Sequence, residues 1–219
     1  MKNLFRPMIV LMALLGTLSL PLTASAQSAQ SGETKAAMCI GCHGIPGYKA
    51  SFPEIFRVPM IAGQTEKYIT SALAQYKKGD RKHPTMRGIA TSLTDQDMAD
   101  LAAYYAKKVK VEPVPAALTG TVPANVAALL AKGNCASCHG ANYSAPIDPS
   151  YPKLAGQHGD YLYAALRGYQ IDNNPLVGRN NAIMVGMARL YTPAELRVLA
   201  NYFALLPSEL RTAEQSRFR

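Results

Sequence analysis

Two five-residue strings, Cys39-Ile40-Gly41-Cys42-His43 and Cys135-Ala136-Ser137-Cys138-His139, hold all four cysteines of the chain and two of its four histidines. Cysteines three apart with a histidine directly after them suit covalent attachment of haem. Two thiols reach the two vinyl groups on one porphyrin edge, and the adjacent imidazole swings beneath the ring to ligate iron. Other chemistries use such pairs less well. A redox disulfide of the thioredoxin kind needs a βαβ pattern that the chain lacks. A structural zinc needs its ligands close together, whereas 92 residues separate Cys42 from Cys135. Zinc and ordinary disulfides would also leave both histidines without a role.

An iron held by one imidazole and a porphyrin still needs a ligand on its far side, and an internal repeat indicates where to look. The cysteine motifs begin 96 residues apart, and each is followed by matching text: PMIAGQTEKYITSALAQY from Pro59 and PKLAGQHGDYLYAALRGY from Pro152. Pro59/Pro152, Gln64/Gln157, Tyr68/Tyr161, Leu73/Leu166 and Tyr76/Tyr169 recur in register, with apolar residues at helical spacing. A second pair of strings, beginning at Met86 and Met184, aligns without a gap. Each leads into a helix whose cap is visible: Thr94 with Asp97, and Thr192 with Glu195 behind Pro193. Leu93 against Met98 and Tyr191 against Leu196 form the corresponding staples.

Met86 and Met184 precede these caps by eight residues, in a polar stretch containing glycine that reads as a loop. Methionine most often fills core space. A loop, however, can lift a thioether to iron, and His/Met ligation with Met86 and Met184 opposite His43 and His139 is the reading the repeat favours. His83 offers a bis-histidine alternative in the first half only. In the second half the approach to Met184 is longer, and Met187 is an alternative ligand that otherwise packs against haem or the last helix. His158 reads as a surface or capping residue.

The elements that must position these groups form an all-α chain of two tandem lobes. Lys2 and Arg6, an apolar run over 8–22 and Ala24-Ser25-Ala26 predict a cleaved signal peptide over residues 1–26. The first lobe spans 27–110, a proline-bearing linker 111–123, the second lobe 124–207 and a frayed charged tail 208–219. The whole chain has 219 residues and a net charge of +9, which becomes +7 once the leader's two cations are removed. Export speaks against nucleic acid as the partner, and the basic balance suits an acidic redox protein.

The mature sequence resembles the cytochrome c4 family, dihaem class I c-type cytochromes with two monohaem lobes. Both C-x-x-C-H motifs, both A-G-Q-x-x-x-Y blocks, and MRGIATSLTDQD with MVGMARLYTPAE carry the resemblance. It implies two covalent haem c groups, pseudo-twofold lobes with haem propionates facing across the interface, and prolines (Pro59, Pro152) whose carbonyls orient the proximal imidazoles. It further implies a periplasmic electron carrier, soluble or loosely attached to the membrane. The acceptor would be a terminal oxidase and the donor a quinol-oxidising complex. Fully ligated iron leaves no substrate site, so an enzyme is not expected. The alternative is the electron-accepting cytochrome subunit of a periplasmic dehydrogenase.

Overall fold

The structure, a computed structural model, describes residues 28–108, 114–118 and 120–214. The leader expected over 1–26, part of the 111–123 linker and the last five residues lie outside the described residues. The first lobe runs α1 (Ala29–Lys35), α2 (Ala37–His43), β1 (Lys49–Ala50), β2 (Phe56–Arg57), α3 (Glu66–Lys78), β3 (Arg81–Lys82), α4 (Pro84–Thr91) and α5 (Asp95–Lys107). The second runs α6 (Ala124–Gly133), α7 (Ala136–His139), α8 (Gly159–Gly168), β4 (Gly178–Arg179), α9 (Ala182–Ala188) and α10 (Pro193–Ala204). The chain is therefore helical, with strands of two residues each among the described residues.

Both expected capping boxes are present. Thr94 and Asp97 exchange bonds at the start of α5, as do Thr192 and Glu195 at the start of α10. Each satisfies backbone N–H groups that a helix start otherwise leaves open. Behind the caps, Met98, Leu101, Ala102 and Tyr105 bury one stripe of α5 against Ile69 of α3. Leu196, Leu199, Ala200 and Phe203 do the same from α10 against Leu162 of α8. The 3.6-residue period of these side chains explains why both terminal helices are core elements.

Asp100 and Asp97, on α5, hold the N-terminal helix. Lys35 Nζ lies 2.7 Å from an oxygen of each, and Asp100 also accepts from the Ser28 backbone N–H and the Gln96 amide. The hydrogen bonds from Lys35 hold both carboxyls well below the usual carboxylate range. A depressed folded-state pKa stabilises the native chain above the unfolded value of about 4 and ceases to do so as pH falls through the folded value. Unfolding midpoints in denaturant should therefore drop as pH is lowered from about 4, and Asp100→Asn should flatten that acid limb. The variant's stability at pH 7 is expected to approach that of the parent under acid. An unchanged acid limb in Asp100→Asn would show that α1 is held by other contacts.

The lobes meet along a continuous seam. β3 and β4 form an antiparallel ladder between them, pairing Arg81 with Arg179 and Lys82 with Gly178. Arg57 of β2 binds Asp160 of α8, with Nε to Oδ2 at 3.0 Å.

The tail corrects the sequence-based expectation. Residues 208–214 are not frayed but pack along the seam against both lobes. Arg211 N–H donates to Ala62 O, Lys153 pairs with Glu209, Leu210 is 1% exposed, and Ala213 joins the first lobe's core. Gly63 and Gly156, the glycines of the two A-G-Q blocks, permit this approach. Both have positive φ (90° and 69°), and a Cβ at either would press on Glu209 O or Ser208 Cβ. The burial of Leu210 and Ala213 outweighs the charge of their neighbours.

Candidate functional site

The α2 helix carries Cys39, Cys42 and, as its last residue, His43. Cys135 is the N-cap residue of α7, which carries Cys138 and ends on His139. Each imidazole is fixed from behind. His43 Nδ1 lies 2.8 Å from Pro59 O, and His139 Nδ1 lies 3.1 Å from Pro152 O. A carbonyl can only accept, so each Nδ1 bears the proton and each Nε2 keeps its lone pair. Burial holds both histidines below the ordinary value, hence neutral. A neutral imidazole with a free Nε2 is the form that ligates a metal.

No disulfide joins any of the four cysteines. Burial pushes the Cys39 thiol up to about 11 and raises that of Cys135. Among the described residues, no three of His, Cys, Asp and Glu come together as a metal site.

Met86 and Met184 do not sit in loops as the sequence suggested. Met86 belongs to α4 and Met184 to α9, short helices whose first turns are held by side-chain caps. Met86 N–H donates to His83 Nδ1, and Met184 N–H donates to Asn181 Oδ1. The first helical turn displays each methionine toward the interior. His83 is thereby a cap, with Asn181 as its counterpart.

His43, Met86, His139 and Met184 all line one cavity of about 580 Å³ that passes through both lobes. Met187 does not. It lies outside that lining and is 37% exposed, so the packing role expected for it is not what the structure shows. His158, at the position preceding α8, makes no side-chain cap bond.

Where the cavity crosses the seam it carries a feature that the sequence reading missed. Arg81 and Arg179 face each other across the β3–β4 ladder, Arg81 buried and Arg179 half-buried. Each Nη2 donates to a phenol at 3.0 Å, Arg81 to Tyr68 and Arg179 to Tyr161. Arg81 also stacks near Tyr76, and Arg179 near Tyr169. Neither has a carboxylate in ion-pair range among the described residues, and Arg81 Nε is buried without a partner. Two cations directly opposite on a ladder repel, and their desolvation costs several kcal/mol each. Phenol hydroxyls do not neutralise them. The arrangement calls for anions in the cavity, and the propionate carboxylates of two haems are anions of the right kind. The residues present fit the group. The signal was legible: Arg81 and Arg179 each precede their repeat's methionine by five residues.

This fold and cavity define a two-lobed, dihaem c-type cytochrome, and the cytochrome c family model matches residues 29–107 and 123–206. The chain belongs to the cytochrome c4 family. It is 31% identical over 198 residues to cytochrome c4 of Pseudomonas aeruginosa, covering 88% of this chain and 96% of that one. It is 28% identical over 184 residues to a thiosulfate dehydrogenase electron acceptor of Thiomonas intermedia, covering 79% and 80%. Among solved structures, reduced recombinant cytochrome c4 from Pseudomonas stutzeri matches with a TM-score of 0.58 at 27% identity, covering 83% of this chain and all of that one. The chain is accordingly an electron-transfer protein with two covalently bound haem c groups.

Proposed function

We propose that this chain is a periplasmic shuttle that accepts and donates electrons singly within a respiratory chain and performs no catalysis of its own. The observation that carries this reading is one cavity lined by two histidines and two methionines, with Arg81 and Arg179 facing each other where it crosses the seam. Bound haem supplies a one-electron ferric/ferrous couple in each lobe.

The chain's own residues do the rest. Cys39 and Cys42 in the first lobe, and Cys135 and Cys138 in the second, form the thioethers. His43 and His139, each with Nε2 free, would hold the iron of their lobe, and Met86 and Met184 would each supply a thioether to it. Thioether ligation favours ferrous iron and raises the potential. An iron held by both a histidine and a methionine would leave no position for substrate. Arg81 and Arg179 would hold propionate carboxylates, and their positive charge would favour ferrous over ferric iron in either lobe. In the aromatic shell, burial pushes the Tyr68 phenol up to about 12, so it remains a donor.

The acceptor in this reading is a terminal oxidase and the donor a quinol-oxidising complex. No helix among the described residues is long and apolar enough to cross a membrane, which fits a soluble or loosely attached carrier. The second reading is an electron-accepting subunit of a periplasmic dehydrogenase, favoured by the similarity to thiosulfate dehydrogenase electron acceptors. Co-purification of a large catalytic subunit would select it.

Mass spectrometry of the denatured, exported protein tests the attachment. The expected mass is the polypeptide after loss of 26 residues plus two haems, with haem colour retained on a denaturing gel. A colourless chain from a strain competent in haem attachment would refute the assignment.

A further inference from the structure

The glutamines of the two A-G-Q blocks do not serve their own lobes. Gln157, 3% exposed, crosses the seam: its Oε1 accepts from Met60 N–H at 3.0 Å and its Nε2 donates to Met60 O at 2.8 Å. Gln64, also 3% exposed, crosses the other way. Its Oε1 accepts from Lys153 N–H at 3.0 Å, and its Nε2 donates to Lys153 O at 2.8 Å. These two-bond clamps are related by the pseudo-twofold axis, and each closes on a particular peptide unit. Met60 N–H belongs to the same peptide plane as Pro59 O, which accepts from His43. Lys153 N–H belongs to the plane of Pro152 O, which accepts from His139.

We infer that Gln157 and Gln64 are positioning residues for the proximal histidine of the opposite lobe, each acting through one polarised peptide unit. An amide whose N–H is donated to a strong acceptor becomes a better acceptor at its own oxygen, because hydrogen bonds in a chain polarise one another. The run is Gln157 Oε1, Met60 N–H, Pro59 C=O, His43 Nδ1–H, with its mirror from Gln64 to His139. A stronger pull on Nδ1–H makes the imidazole a more basic ligand, which favours ferric iron. The clamp also fixes the carbonyl's direction, and with it the plane of the ring. Both effects cross the seam, so the redox properties of each lobe depend on a side chain of the other. This inference rests on His43 and His139 being the axial ligands.

The test uses the intact dihaem protein with Gln157→Met or Gln64→Met, which keep shape and remove both clamp bonds. Each haem is followed separately through its paramagnetically shifted methyl resonances during a redox titration. In Gln157→Met the midpoint potential of the first-lobe haem should rise while that of the second-lobe haem stays put. In Gln64→Met the pattern should reverse. The Nδ1–H resonance of the affected histidine should move upfield in the ferrous state, as for a weakened hydrogen bond, with the other unmoved. If a methionine variant does not assemble, Gln157→Asn and Gln64→Asn break the same clamps and should give the same crossed pattern. A shift in the variant's own lobe, equal shifts in both, or none would overturn the inference. The unaltered protein separates failure of the underlying reading. If the ring protons of His43 and His139 show no paramagnetic shift, the ligand assignment is wrong. If they do and the pattern is not crossed, the cross-lobe role is wrong.

Discussion

Replacing Met184 with alanine is expected to open one iron of the two and leave the other untouched. Met184 lines the same cavity as His139, and the bond from its own N–H to Asn181 Oδ1 fixes the turn that presents it. Its counterpart Met86 stands in the same relation to His83 and His43. Loss of the thioether should remove the methionine–ferric charge-transfer band of that haem and admit carbon monoxide, one molecule per two haems in the reduced protein. Its potential should fall by a sizeable fraction of the ~0.8 V over which axial ligands set haem potentials. Met187→Ala should do none of this. That side chain is 37% exposed and outside the cavity, and truncation at such positions changes stability by only about 0.5 kcal/mol or less. Carbon monoxide binding in Met187→Ala with a six-coordinate Met184→Ala would reassign the ligand.

A chain produced without haem attachment, for example with all four cysteines changed to alanine, is expected to lose its fixed tertiary structure altogether. The cavity shared by the lobes measures about 580 Å³. Without haem the apolar side chains that line it, among them Ile69, Leu73, Leu162 and Leu166, lose the surface they pack against, and a domain stable by only about 5–15 kcal/mol has little margin for that loss. The facing arginines add to the deficit, since without propionates two cations meet across β3 and β4 with phenols as their only partners. The capping boxes and the apolar stripes of α5 and α10 are independent of haem. The apo chain should therefore keep part of its helical far-ultraviolet signal, bind a hydrophobic dye and melt without a cooperative transition. A sharp melting transition with native near-ultraviolet dichroism would show that the protein core suffices without the cofactor.

How much of this was readable beforehand varies with the range of the interactions involved. The C-x-x-C-H strings are local chemistry, complete within five residues, and needed no fold to interpret. The capping boxes at Thr94 and Thr192 are equally local, since cap and partner lie three residues apart. The short helices around Met86 and Met184 were misread as loops because each is only seven or eight residues long and carries an internal glycine, Gly88 or Gly186. Side-chain caps and tertiary packing, not propensity, hold them. The tail was misread for a related reason. Leu210 and Ala213 are isolated among charged residues, and no periodicity marks them as core. Their partners, Ala62 and its neighbours, lie about 150 residues earlier in the chain.

By itself the sequence determined the cofactor, the all-α class, the twofold repeat and the family, because covalent spacing and helical period are written along the chain. Only the tertiary structure decided what lies between the lobes. Arg81, Arg179, Gln64 and Gln157 are polar residues that a linear reading assigns to the surface. Pairing β3 with β4 places the two guanidiniums opposite each other, and packing α8 beside β2 carries each glutamine to the other lobe's proline peptide. A side chain's meaning there depends on which distant backbone group it meets, and that is set by burial of two apolar faces against one another.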